Sequence, residues 1–227
     1  MSAQPPPSAA GKTTITVAIE PLRPDEVRLA AAVLARGMRD NPLHVAALGS
    51  PPQRRQRVLA ALFRAVLPLL PGAPLAARQA GTIVGVLGMT PPGYGGAGHG
   101  WPRPRHLLRA LVPTARLFLT LLADPRATAR VASWFVAWAQ RDLPEPHWHL
   151  GPVAVEPRLQ GRGIGSQLLT AFCAQMDALG AVAYLETDKA ENVTFYRKFG
   201  FGTMAEASIL STPNWFMRRG PTAPRST

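Results

Sequence analysis

Apolar and polar residues alternate over residues 15–21, with Ile15, Val17 and Ile19 on one side, and this period of two predicts a first strand. The period then changes. Val27, Ala30, Ala31, Leu34 and Met38 recur at helical spacing behind Pro24, Asp25 and Glu26. Proline suits a first helical turn because its missing amide has no partner there, and acids suit the positive end of the helix dipole. Asn41-Pro42 is expected to stop this helix. A second helix is predicted over 53–67, a turn over 71–74, and a hairpin of strands 75–79 and 82–89 around Gly81. Residues 91–104 form a glycine- and proline-rich loop, followed by predicted helices over 105–122 and 125–141. Trp134, Phe135 and Trp138 lie together on the last of these. They read as core, with a ligand-binding wall as the alternative.

The remaining third has a different rhythm. An apolar strand over 147–155 runs through a turn at 156–159 into a glycine-rich segment, 160–165. A helix over 166–179 follows, with Leu168, Leu169, Phe172, Cys173 and Met176 on its apolar stripe and Gly180 at its end. Next come a strand over 182–185, a short helix over 191–199 ended by Gly200, and strands over 201–210 and 214–219. There is no internal repeat. The expected organisation is a disordered tail over 1–14, one domain over 15–220, and a second tail over 221–227.

Composition narrows the function classes. The chain has 227 residues, which suits a single domain, and 47% hydrophobic with 17% charged residues excludes disorder over most of it. Cys173 is the only cysteine, so an intrachain disulfide and a cysteine-built zinc site are both excluded. Arg64 interrupts the apolar run 58–70, and Arg109 and Arg116 interrupt 107–122, so no membrane span is expected. The first residues lack the apolar core of a secretory signal, and a cytoplasmic protein is the expectation. Lys and Arg total 25 against 13 Asp and Glu, and Lys12, Lys189 and Lys198 are the only lysines. An arginine-borne excess favours an anionic partner such as a phosphorylated cofactor. The alternative cause is a genome rich in arginine codons. No helix-turn-helix, zinc-finger or RNA-recognition signature accompanies the charge, so no specific nucleic-acid partner is expected.

The segment Gln160-Gly161-Arg162-Gly163-Ile164-Gly165 joins a strand directly to a helix. The first amides of a helix lack internal partners, and glycines let an anion approach them. A phosphate-binding Walker loop would end in Gly-Lys-Ser/Thr, but Gly165-Ser166-Gln167 stands here. A dinucleotide fingerprint started at Gly161 or Gly163 would need its last glycine at Ser166 or Leu168. Both nucleotide readings fail, leaving another anion site or a plain strand-to-helix turn.

Residues 150–165 resemble the acetyl-CoA motif of the GNAT acetyltransferase superfamily, with Gln160, Gly163 and Gly165 at its signature positions. Asn192, Phe195, Tyr196, Gly200 and Phe201 resemble the second motif of that family, at the expected distance downstream. Over residues 146–218 the similarity is greatest to the puromycin N-acetyltransferase-like group. The resemblance implies an α/β fold: a central mixed, mostly antiparallel sheet, splayed between its fourth and fifth strands and flanked by helices. It also implies an acceptor-side half, 15–145, and an acetyl-CoA-binding half, 146–220. The cofactor implied is acetyl-CoA (coenzyme A). Its diphosphate would lie on Gln160, Gly161, Arg162, Gly163, Ile164, Gly165 and Ser166. Its pantetheine arm would pair with Val153, Ala154 and Val155, with Asn192 bonding the arm or else capping its helix. An amide near Ala154 or Val155 would stabilise the carbonyl oxygen.

The implied reaction is direct acetylation of a primary amine, with Tyr196 protonating the departing thiolate. An alkylammonium has a pKa of about 10.4, so a base is needed. Glu186, at the end of a central strand, is the first choice and His149 the second, although His149 also reads as a hydrogen-bonded core residue. Asp188 reads as a surface or turn residue. Cys173, on an apolar stripe, is rejected as a nucleophile. No metal is implied. The acceptor is a small-molecule amine, or alternatively a protein amine, bound between residues 22–50 and 91–140. Acids able to attract a cation there are few: Glu20, Asp25, Glu26, Asp40, Asp124, Asp142 and Glu145. Homodimers are frequent in the family. A non-catalytic acyl-CoA sensor on the same fold is the competing class.

Overall fold

The computed structural model describes residues 14–93, 115 and 123–222. The helix expected over 105–122 and most of the 91–104 loop lie outside the described residues, as do 1–13 and 223–227 of the two expected tails. The order of elements is β1 (Ala18–Pro21), α1 (Val27–Met38), α2 (Pro42–Leu48), α3 (Pro52–Val66), β2 (Leu75–Gln79), β3 (Thr82–Thr90) and α4 (Pro125–Ala139). Then come β4 (Trp148–Val155), α5 (Ile164–Ala178), β5 (Ala183–Thr187), α6 (Ala190–Arg197), β6 (Gly202–Ile209) and β7 (Thr212–Arg219).

The seven strands form one sheet in the order β1-β2-β3-β4-β5-β7-β6. Every neighbouring pair is antiparallel except β4 with β5. The α/β class and the mixed, mostly antiparallel sheet match the expectation. Side chains alternate across the sheet, so β2 sends Ala76 to one face and Leu75 and Ala77 to the other. Helices α1 to α4 cover the first face, with Leu34, Leu43, Leu59 and Trp134 in one core. Helices α5 and α6 cover the second, with Leu168, Phe172, Met176 and Val193 in another. The β2–β3 connection is tight because Ala80 (φ 47°) and Gly81 (φ 77°) both take left-handed conformations, as such hairpins require.

Two local features differ from the sequence reading. Asn41-Pro42 does end the first helical stretch, but Pro42 also opens α2, which the apolar pattern did not reveal. Proline serves both ends of the break, since a first-turn residue needs no amide acceptor. The other feature is Gly37. A Cβ there would lie 2.7 Å from the Ala154 Cβ and 2.9 Å from the Val155 carbonyl oxygen. Only glycine lets α1 lie against β4 this closely.

Candidate active site

β4 and β5 pair only at Trp148 with Ala183 and His149 with Tyr184; beyond that they part. The parting begins at a bulge. In the β3–β4 register Leu87 faces Val153 and Met89 faces Leu150, so Gly151 and Pro152 together oppose Gly88. A Cβ on Gly88 would meet the Gly151 oxygen at 2.6 Å, so the bulge needs glycine opposite it. Pro152, which has no amide to contribute to a ladder, sits where the ladder stops. The bulge resets the alternation, so Leu150 and Val153, three residues apart, both face the α5 core.

The free main chain along the gap can be assigned. Glu156 donates its amide to the Val84 carbonyl on β3, 2.8 Å away. Strand alternation then turns the main chain of Ala154 toward β3, and that of Val153 and Val155 toward the gap. The Val155 carbonyl accepts from the Gln160 side chain at 3.1 Å. The Val153 amide and carbonyl and the Val155 amide therefore line the gap. Ala154, expected among the cofactor-pairing residues, spends its main-chain groups on β3 and its side chain on Gly37.

At the end of β4 the chain turns through Gly161 (φ 74°) and Gly163 (φ 80°), conformations costly for other residues. The first α5 bond runs from the Gln167 amide to the Gly163 carbonyl, 3.1 Å, so the amides of Ile164, Gly165 and Ser166 lack intrahelical acceptors. Gln160, Gly161 and Arg162 are exposed on the same turn. Thr14–Val17 packs beside it: the Ile15 amide bonds the Arg162 carbonyl at 3.0 Å, and Gln167 bonds the Ile15 carbonyl at 2.7 Å. Arg36 of α1 clamps Glu156, just after β4, with two guanidinium nitrogens at 2.8 to 3.1 Å.

The gap opens on the α1–α4 face into a cavity of about 250 Å³. One end is polar. Glu186, whose side chain is 7% exposed, lies with a carboxylate oxygen 2.6 Å from His149 Nε2. A carboxylate can only accept, so Nε2 carries the hydrogen and Nδ1 is the basic nitrogen of the neutral ring. Burial lowers the His149 pKa, but the charge and hydrogen bond of Glu186 more than offset it, and the net shift is upward. Tyr196 is buried, and its hydroxyl has no partner among the described residues. Burial first, and the nearby Asp188 charge second, raise its pKa. Asn192 does not cap its helix, where Lys189 holds that position; its amide instead donates to Thr187 Oγ1 at 3.0 Å on the cavity wall.

The other end is apolar: Leu62, Phe63, Val66 and Leu70 face Trp134, Phe135 and Trp138. The tryptophans are therefore both core and wall, with Trp138 Nε1 donating to Asn214 Oδ1 at 3.2 Å. Two functional candidates were misread or missed in the sequence. Asp188 is not a surface residue. It is buried on the cavity wall and accepts the Leu43 amide at 2.7 Å, holding the start of α2. Burial raises its pKa, against the lowering effect of that bond. His44, on the helix the pattern did not reveal, also lines the cavity.

The acids expected to serve the acceptor are engaged elsewhere. Glu26 pairs with Arg78 and Arg23, Asp40 with Arg55 and Arg39, Asp124 with Arg54, Glu145 with Arg218, Glu20 with Arg78, Asp25 with Arg23, and Asp142 with His147. None of them lines the cavity; Glu186 and Asp188 do. Cys173 is buried on the inner face of α5, where burial pushes its thiol up to about 11, consistent with its rejection as a nucleophile.

A strand lip with unpaired main chain, leading from unpaired helix amides to a buried polar cavity, fits a long ligand with a diphosphate at one end. The sequence profile described as the Acetyltransferase (GNAT) family matches residues 50–201. The chain belongs to the GNAT acetyltransferase family. Acetyl-CoA is accordingly its cofactor, and acyl transfer its class of reaction. Solved GNAT-type structures share the fold. A Corynebacterium glutamicum protein described as histone acetyltransferase HPA2 and related acetyltransferase is 21% identical, with a TM-score of 0.62, covering 93% of this chain and 100% of that one. The Drosophila melanogaster polyamine N-acetyltransferase, which forms N-acetylagmatine, is 13% identical, with a TM-score of 0.60 over 90% of this chain and 100% of its own. Ard1 from Thermoplasma volcanium is 17% identical, with a TM-score of 0.52 over 92% and 99%. Among the described residues of this GNAT protein, no helix is long and apolar enough to cross a membrane, and no cluster of His, Cys, Asp and Glu is arranged to hold a metal.

Proposed function

We propose that the protein moves the acetyl group of acetyl-CoA to a primary amine of a small molecule by direct attack. The observation that carries this reading is the juxtaposition at the β4–β5 parting: free Val153 and Val155 main chain on one side, and Tyr196 with the His149–Glu186 pair around the cavity beyond it. Acetyl-CoA supplies a thioester, whose carbonyl carbon accepts the amine. The amides of Ile164, Gly165 and Ser166, with the Gln160–Gly163 turn, bind the diphosphate. Val153 and Val155 orient the pantetheine arm as an added strand, Asn192 steadies it, and an outward amide of that strand stabilises negative charge on the carbonyl oxygen.

His149 Nδ1 takes the proton from the amine, while Glu186 holds the ring and balances the imidazolium charge. The sequence reading placed Glu186 first; the 2.6 Å contact supports a shared role, with His149, 36% exposed, nearer the acceptor. Tyr196 returns a proton to the departing sulfur. Its raised pKa does not oppose this role, because burial raises the proton affinity of a thiolate as well, as Cys173 illustrates at about 11. Residues 15–145 supply the acceptor side and 146–220 the cofactor side. The resemblance to the puromycin N-acetyltransferase-like group supports a small-molecule rather than a protein amine. We place the enzyme in the cytoplasm, as a homodimer. Incubation with acetyl-CoA and a varied amine library, read by free-thiol release and product mass, tests the reaction. Coenzyme A binding with no thiol release from any amine would refute it in favour of a sensor.

A further inference from the structure

The acceptor end of the cavity has a composition of its own. Its wall is aromatic and aliphatic, built by α3 and the chain after it on one side and by Trp134, Phe135 and Trp138 on the other. Two rings of this wall, His44 and Trp134, carry a buried nitrogen with no hydrogen-bond partner among the described residues. His44 is 4% exposed and packs edge-on against Trp134 with ring centres 5.1 Å apart, and among the described residues its Nδ1 has no hydrogen-bond partner. The ring lines the cavity, and a polar ring left short of partners is costly, so a polar ligand group that reaches it is favoured. Burial first, then the charges of Lys189 and Arg55, lower its pKa to about 4, so the ring is neutral and offers one donor and one acceptor. At the far end, Glu186 and Asp188 supply the only carboxylates on the cavity wall among the described residues. The volume, about 250 Å³, lies below the roughly 300–1,000 Å³ of pockets for drug-sized molecules.

Resting on the acetyl-transfer reading above, we propose that the acceptor is a primary amine on a compact aromatic body bearing a hydroxyl or similar polar substituent, and that His44 is the residue that reads the substituent. The amine lies toward His149 and Glu186, and the ring lies between the α3 side and the α4 tryptophans. A flat apolar body fits this wall better than a polyamine, whose spaced charges would have to be desolvated among Phe63, Val66 and Leu70. It also fits better than a peptide, whose main chain would find few partners there. The transfer balances: the ammonium loses one proton to the His149–Glu186 pair, the C–N bond forms, the C–S bond breaks, the sulfur takes the Tyr196 proton, and the second nitrogen proton, released as the tetrahedral adduct collapses, restores Tyr196.

The test compares phenethylamine, tyramine, hexylamine, spermidine and a lysine peptide as acceptors, by thiol release and product mass, with the wild type and His44→Phe. The expected order puts the two aromatic amines at least tenfold above spermidine and the peptide in kcat/KM, with tyramine first. His44→Phe should cut the tyramine-to-phenethylamine ratio at least tenfold, with Tm unchanged or raised. Spermidine or the peptide leading the panel would overturn the proposal while leaving acetyl transfer intact. An equal fall for both aromatic amines would remove His44 as the reader. Coenzyme A binding without thiol release from any amine of the panel would overturn the acetyl-transfer reading and this one with it.

Discussion

His44 gives a prediction that is independent of any ligand. Its folded pKa of about 4 lies below the ordinary 6.5, so between those values the unfolded chain binds more protons than the folded one. Stability from this residue is therefore complete above 6.5 and is lost as the pH falls through that window. At pH 5 an unperturbed imidazole is almost wholly protonated, whereas His44 in its cavity is about nine-tenths neutral. Linkage converts the difference to about 2 kcal/mol lost between pH 7.5 and pH 5. That is a sizeable part of the roughly 5–15 kcal/mol that holds a domain folded. The perturbation is His44→Phe, which keeps an aromatic edge against Trp134 and removes both the titration and the orphaned Nδ1. Urea unfolding followed by far-UV circular dichroism at the two pH values gives ΔG for each protein. The wild type should lose about 2 kcal/mol more than the variant on acidification. At pH 7.5 the variant should be equal or about 1 kcal/mol more stable. His149, whose pKa is shifted the opposite way, is common to both proteins and cancels in the comparison. Equal acid losses in the two proteins would refute the buried, neutral state of His44.

Tyr196→Phe should lower turnover about tenfold or more with little change in coenzyme A affinity by calorimetry; unchanged turnover with chemistry rate-limiting would remove Tyr196 as the acid. The raised His149 pKa means that its basic form is lost as pH falls through a value above 6.5, so the acid limb of the kcat/KM profile should lie above that value. Glu186→Gln should move the limb to lower pH and reduce the plateau, and an unmoved limb would dissociate the pair. Gly37→Ala, which at an ordinary helical site would gain about 1 kcal/mol, should instead cost about 1–3 kcal/mol, because the new methyl meets Ala154 and the Val155 carbonyl. Urea midpoints decide the sign. Leu210 (φ 51°) and Ser211 (φ 60°) hold the β6–β7 turn in left-handed conformations, and since Leu210 also packs on the core, Ser211→Gly alone should raise stability by about 1 kcal/mol, read from the urea midpoint.

The half of the fold that could be read from the sequence is the half in which neighbours in sequence are neighbours in space. The strand, glycine turn and helix from 148 to 178 form one continuous unit, and Asn192 and Tyr196 share a short helix, so local spacing sufficed. The polar end of the cavity was not legible in this way. His149 and Glu186 are 37 residues apart and meet only because β4 and β5 are in register at His149 and Tyr184. Asp188 looked like a turn residue because the partner that buries it, the Leu43 amide, lies 145 residues away. His44 was passed over with α2, since a seven-residue helix begun by proline has too few turns to display a period.

The bulge at Gly151–Pro152 links these two scales. Continuous pairing of β4 with β5 past His149 would have used the Val153 main chain on β5 and closed the cavity floor. Pro152 removes the amide that such a ladder needs, and the extra residue lets Leu150 and Val153 both face the α5 core while His149 keeps its side chain on the opposite, α1–α4 face. Thus one inserted residue, tolerated because Gly88 lies opposite it, both frees a strand edge for a ligand and keeps a basic side chain at the point where that edge begins. Filling the space at Gly88 would press first on Gly151 and Pro152, and through them on the proposed cofactor edge and proton acceptor together. The two are geometrically one feature, which is why the proposed catalytic pair sits at the first break in the ladder rather than farther along either strand.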